Sequence, residues 1–200
     1  MANKVEIGTE IKCGWEIFKA NMGLLILVNL LAGLLILLTC GVLAGPMMAG
    51  VYLIIQRLLK KDATVPVVGD IFKGFEYFLH TFLLVIVVGV ISVVCNFIPV
   101  VNFVAGFILG AVASIGIMFV VFGKLSFSDA LKKIASEIST GPFWMLILTL
   151  IVAGLIGSVG GLLCGIGVLF TAPIAMCIYV CAYHSAYEGE STASDQPPTP

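Results

Sequence analysis

Near the end of the last apolar stretch, Cys177, Cys181 and His184 stand four and then three residues apart, so a helix there carries two thiols and an imidazole on one face. Thiolate and imidazole suit zinc or copper(I). Cys13, in the first amphipathic stretch, and His80, at the start of the third apolar span, are expected at a similar depth. The plainer reading is packing, because a cysteine behaves as a small apolar side chain and a histidine at a span end reaches interfacial water. The spacing lacks the paired Cys-x-x-Cys that marks a zinc site. Packing is therefore the reading adopted: no metal is assigned, and these three residues are the candidates to be located. Cys40, Cys95 and Cys164 form a second set, one at each uncharged turn, where a disulfide between two of them or a relic of duplication is expected.

No other reactive constellation stands in the chain. It has no Ser-His-Asp set, no carboxylate pair and no Gly-Lys phosphate loop, so no enzyme and no cofactor are expected. Ion-coupled transporters keep an ionisable residue among their spans. Here the polar residues at depth are Asn29, Ser92, Ser114, Thr149 and Ser158, with Asn96 and Asn102 at a turn, and hydrogen bonds between helices are expected to satisfy them.

The elements that must hold these residues are set by charge. With 60% hydrophobic and 10% charged residues and a mean hydropathy of +1.18, the chain is far more apolar than a soluble domain, where about 25% of residues are charged. Ala20 to Gln56, Tyr77 to Gly123 and Ile138 to Tyr187 contain no Asp, Glu, Lys or Arg. Each has room for two spans of about 20 residues, the first segment only just. The fold expected is an all-α integral membrane protein with six transmembrane helices arranged as three hairpins. All ten Lys and Arg fall in the N-terminal segment or in the second and fourth connections, which puts both termini in the cytoplasm. A pI near 6.1 and the absence of a basic patch argue against a nucleic-acid partner.

An acid-x-x-Lys pattern precedes each hairpin: Glu16 to Lys19, Asp70 to Lys73 and Asp129 to Lys132. Each copy lies in an amphipathic stretch, with Ile7, Ile11, Trp15, Phe18 and Met22, then Ile71, Phe75, Phe78 and Phe82, then Phe127, Leu131, Ile134 and Ile138 on one helical face. These faces are expected to rest on acyl chains at the cytoplasmic interface. A single membrane domain over 1–188 follows, a pseudo-threefold repeat of units at about 7–61, 66–124 and 126–188, with a disordered polar tail at 189–200. Gly106, Gly110 and Ser114, and again Gly157, Gly161 and Gly165, recur at four-residue spacing. Such stripes are expected to seat helices closely, or to meet a protein partner or a second copy.

Trp15-Glu16-Ile17-Phe18-Lys19-Ala20-Asn21-Met22, the run Gly69 to Phe78, and Cys164 to Pro173 followed by Tyr179, Tyr183 and Tyr187 resemble the small six-helix bacterial inner-membrane proteins related to the membrane domain of glycerophosphodiester phosphodiesterases. The resemblance implies an architecture and a cell inner membrane. It carries over no catalytic residue, since the phosphodiesterase chemistry of that family belongs to a separate soluble domain. The function expected is a non-enzymatic scaffold or a protein that binds membrane lipids or a partner. The alternatives are a transporter or channel for a neutral or lipid-like solute, and a membrane-shaping hairpin protein.

Overall fold

The computed structural model describes residues 6–61, 64–95, 99–139, 141–162 and 167–194, without the side chains of 95, 99–104, 141–142, 159–162 and 188–194. Its described elements are all helical: α1 (Ile7–Ala20), α2 (Met22–Leu38), α3 (Ala44–Leu59), a 3-10 helix (Val68–Tyr77), α4 (Phe78–Cys95), α5 (Pro99–Val121), α6 (Phe127–Glu137), α7 (Gly141–Leu162) and α8 (Val168–Ser194). In chain order, a short helix with charged residues precedes each pair of apolar helices. The described helix α8 runs on into the first residues of the polar tail, which composition alone would leave without structure.

Length and apolarity qualify fewer spans than charge suggests. Among the described residues, Val68–Val94 and Val168–Tyr187 are each long and apolar enough to cross a membrane alone. Helices α1 and α2, bent by 94° at their junction, would make a third span if counted as one broken helix. Ala44–Leu59, Ala105–Val121 and Phe143–Ser158 are shorter apolar helices. The exposed apolar surface is nonetheless extensive. Leu27, Leu30, Leu34 and Leu37 of α2 and Leu79, Leu83, Ile86 and Val90 of α4 are all exposed, an area that water would penalise and lipid would not.

Helix α3 is the centre of the bundle. Met47, Ala49, Val51, Tyr52, Ile54 and Ile55 are fully buried, and the 3-10 helix crosses the same helix backbone to backbone. A Cβ on Gly50 would overlap the Ile71 carbonyl oxygen, and one on Gly74 would overlap the carbonyl of Pro46 and the Gly50 main chain. Asp70 fixes the start of this crossing, with Arg57 of α3 at 2.7 Å and Lys73 at 2.8 Å. It also accepts the Val67 N–H at 3.0 Å. Close approaches recur where Gly14 meets Ile178, Gly45 meets Thr81 and Gly116 meets Leu84. The stripe expected to do this work does not: a Cβ at Gly106 or Gly110 would meet nothing within 4 Å. Gly157 does touch Ala175, and Gly161 and Gly165 lie outside the residues whose surroundings are described.

The amphipathic helices divide their apolar residues between bundle and surface. Phe18, Ile71, Ala130 and Ile134 turn into the core, while Trp15, Met22, Phe72, Phe75, Leu131 and Ile138 stay exposed. Phe72 shares its exposed face with Phe75. A 3-10 helix repeats every three residues, so Phe72, Phe75 and Phe78 fall on one ridge, their ring centroids 6.2 and 6.1 Å apart, and Phe82 follows at 5.4 Å once the α-helix begins. Helix α6 is capped by Ser126, which accepts the Asp129 N–H at 3.3 Å. Lys133 carries its ammonium over the Phe119 and Tyr187 rings at 5.0 and 5.5 Å, joining α6 to α5 and α8.

A methyl group at Gly50 or Gly74 must push two main chains apart, so Gly50→Ala and Gly74→Ala are each expected to cost about 1–3 kcal/mol or more. Gly69→Ala, whose Cβ meets nothing within 4 Å, should change little. Unfolding midpoints in detergent compare the three, and equal effects would mean that the crossing is looser than described.

Candidate functional site

Two cavities flank the same strip of α8. The first, of about 330 Å³, lies among α3, α5, α7 and α8, where Gly106, Gly110, Gly154 and Gly157 supply walls without side chains and Phe107, Ser114 and Tyr179 close it. The second, of about 400 Å³, lies between α2, α3 and α8, with Asn29 its polar residue. Met48, Ala172 and Met176 line both. Unbranched methionines repack readily, which makes the partition between the cavities the most adaptable part of either wall. Neither lining contains an ionisable carboxylate or a cation.

The polar residues at depth are mostly engaged within their own helices. Asn29 donates to the Leu25 carbonyl at 2.9 Å, Ser92 to Val88 at 2.8 Å, Ser114 to Gly110 at 2.9 Å, Thr149 to Met145 at 2.9 Å and Ser158 to Leu155 at 2.8 Å. The expectation of bonds between helices is thus corrected: these side chains donate to backbone carbonyls of the preceding turn of their own helix. Thr171 bridges helices, donating to the Gly157 carbonyl at 2.8 Å. Asn96 and the side chain of Asn102 lie outside the described residues. Behind the wall of the first cavity, the Tyr52 hydroxyl is buried beside Ser114 and Tyr179, with no partner in good hydrogen-bond geometry among the described residues. Sequence reasoning missed Tyr52, because a tyrosine in an apolar span is ordinary; its depth emerges only when α3 is seen at the centre.

The thiol cluster is rearranged relative to expectation. Cys177, Cys181 and His184 do share a face of α8, but Cys181 is joined in a disulfide to Cys13 of α1, 168 residues away, with Cα atoms 6.4 Å apart. Cys177 is a free thiol, fully buried, and the His184 ring packs against Phe122 with centroids 5.6 Å apart. Among the described residues no three His, Cys, Asp or Glu side chains converge on a point that could hold a metal, and His80 on α4 is not brought to the cluster. Cys40 is a free, exposed thiol in the turn after α2. Cys164 and the side chain of Cys95 lie outside the described residues.

Helix α1 is seated on α8 by this disulfide, by Gly14 against Ile178 and by Ile11 against the cluster of Ala153, Ala175 and Ile178. The same face buries Glu10, only 3% exposed. Burial raises its carboxyl above the usual range, and a hydrogen bond from Ser185 offsets part of that rise. Beside this seat, Cys13, Glu16, Asn21, Arg57 and Lys61 border a cleft of about 540 Å³.

Because the folded carboxyl has the raised pKa, the fold holds a proton that the unfolded chain has already released over the interval between the two values. Stability from Glu10 is therefore full at acid pH and falls as pH rises through the raised value. Glu10→Gln is expected to be more stable than wild type at neutral pH and to equal it near the ordinary carboxylate range, with the difference measured as unfolding midpoints across pH. A difference that grew towards acid pH would instead mean that the ionised form is favoured. Compared with known proteins, the chain matches no family model, no curated protein and no solved structure.

Proposed function

We propose that the chain is a multi-pass protein of the cell inner membrane that crosses it six times, with both termini and all its charges cytoplasmic, and that it binds a lipid-like molecule rather than turning over a substrate. The observation that carries this reading is the uncharged, glycine-walled cavity closed by Ser114 and Tyr179. Its volume falls at the lower end of the range for small-molecule sites, its lining suits an acyl chain, and the Tyr179 hydroxyl in that lining offers one polar contact to an ester or hydroxyl. For the six crossings, the support is the ten-to-zero split of cations between alternate connections. Helix α3, 16 residues and thus about 24 Å long, is short for a span. It is also enclosed by its neighbours, so lipid thickness does not set its length. Threefold duplication and kinship with the phosphodiesterase-related inner-membrane proteins fit the order of the elements and belong to the same proposal. A second reading, passage of a neutral or lipid-like solute, draws on the methionine partition between the two cavities.

Gly110→Leu should fill the first cavity, since nothing lies within 4 Å of its Cβ position. Protein purified in mild detergent is expected to retain lipid by native mass spectrometry, and the variant to lose most of it with little change in unfolding midpoint. Undiminished lipid in the variant would remove the cavity as the binding site. Solute flux through liposomes carrying the wild-type protein, abolished by the same substitution, would favour passage over retention.

Topology has its own test. In a cysteine-free background, single cysteines at Leu43 and Ser158 are expected to react with an impermeant maleimide added outside intact cells. A cysteine at Ser128 should react only after the membrane is opened. Labelling of all three from one side would reduce the hairpins to re-entrant loops.

A further inference from the structure

The Cys13–Cys181 bond joins the first helix to the last on the side of the molecule that carries every cation. Its two sulfurs are unequal. Cys181 is 2% exposed, whereas Cys13 is half-buried and borders the cleft that also holds Arg57, Lys61, Glu16 and Asn21. Disulfides persist in oxidising compartments, and in a reducing cytosol those that form are typically transient and sensing. If the cation-bearing side is cytoplasmic, a purely structural bond is out of place there.

We propose that Cys13–Cys181 is a reversible clasp, opened and closed by exchange with a small anionic thiol of the glutathione class that enters the cleft and attacks at Cys13, and that its redox state decides how firmly α1 is seated on α8. The attacking thiolate forms a mixed disulfide with the Cys13 sulfur while the bond to Cys181 breaks, and Cys181 leaves as a thiolate that takes a proton. A second thiolate attacks the mixed disulfide, releasing the oxidised small-molecule disulfide and the Cys13 thiolate, which is protonated in turn. Two electrons pass from two thiols to the protein, and the oxidised small molecule returns them by the reverse path. Arg57 and Lys61 favour an anionic thiol in the cleft. Asp70 holds one guanidinium nitrogen of Arg57 at 2.7 Å, which fixes that cation at the rim. Cys177, one turn before Cys181 and fully buried, takes no part.

The seat that the clasp controls includes Ile11 against the cluster of Ala153, Ala175 and Ile178, on which Tyr179 also packs, and Ala175 and Tyr179 line the first cavity. Release of α1 thus loosens packing behind that wall. The exchange itself does not depend on what the cavity binds, but its physiological setting rests on the cytoplasmic placement of the charged layer.

The test uses the full chain in sealed vesicles of both orientations, incubated with reduced or oxidised glutathione, neither of which crosses the bilayer. Free thiols are blocked with one maleimide, disulfides are reduced, and the freed thiols are tagged with a second, so that peptide mass spectrometry reads Cys13 and Cys181 separately. The expected result is that both interconvert together between disulfide and thiol in inside-out vesicles, through a glutathione adduct found on Cys13 rather than Cys181. On reduction, α1 amides should exchange hydrogen faster while those of the α3 core hold. Cys177→Ala should behave as wild type, and Cys13→Ser should leave Cys181 a thiol under every condition with α1 as exposed as in the reduced protein. Interconversion only in right-side-out vesicles would overturn the assigned topology while supporting the exchange. A bond that resists glutathione in both orientations, or Cys13 and Cys181 that never pair, would overturn the clasp.

Discussion

Where α3 crosses the 3-10 helix at Gly50 and Gly74, no side chain separates the two elements. Gly50 and Gly74 bring two main chains into direct contact, and that approach dictates much else. It places Ile71 in the core and sets the start of α4. It also brings Asp70 within reach of Arg57, so that an ion pair fixes the rotation of the crossing. Because the pairing is only partly exposed, with the Asp70 side chain 14% accessible, loss of one partner would leave the other charge poorly solvated. The glycines allow the approach and the ion pair selects its register. Neither suffices alone, since close contact without the charge pair could slide, and the charge pair alone is a weak constraint near water.

The apolar body was legible in the sequence because it is a composition effect, readable residue by residue. The same holds for the short charged helices before each apolar pair, whose three- and four-residue spacings point to helix whatever the tertiary context. Which half of each amphipathic face meets lipid was not legible. Phe18 and Ile134 read the same as Trp15 and Ile138 in a hydropathy pattern, yet the first pair is core and the second is exposed. The winding of the second charged segment was not legible either: the spacing of Ile71, Phe75, Phe78 and Phe82 reads as a period of 3.6 residues, and Val68–Tyr77 winds at three.

Long-range partners were the least legible. Cys13 and Cys181 are 168 residues apart, and no local rule ties them. Cys181 looked like a companion of Cys177 and His184 because helical spacing is the one proximity a sequence displays directly. Glycine was misread in the same way. Regular four-residue stripes suggested close packing, but Gly106 and Gly110 line open space, whereas the glycines that permit contact, Gly14, Gly45, Gly50, Gly74 and Gly116, follow no single stripe. What distinguishes them is the backbone on the other side.

The first cavity follows from that contrast. Where a glycine faces another main chain, the helices close up; where it faces the end of a rigid or distant side chain, the missing Cβ becomes free volume. At Gly154 a Cβ would lie 3.1 Å from the Tyr179 hydroxyl and 3.6 Å from the Phe107 ring, so two aromatic groups set the local separation and the helices cannot approach further. Gly106 and Gly110, on the same cavity wall, then have nothing opposite to close upon. Apolar voids in a packed interior forfeit dispersion contacts, and a bundle that needed only stability would fill this one with alanine or leucine at no cost in lipid compatibility. Glycine along the wall, with the Ser114 and Tyr179 hydroxyls and the Met48 and Met176 side chains in the same lining, leaves the volume that the proposed lipid-like ligand would fill.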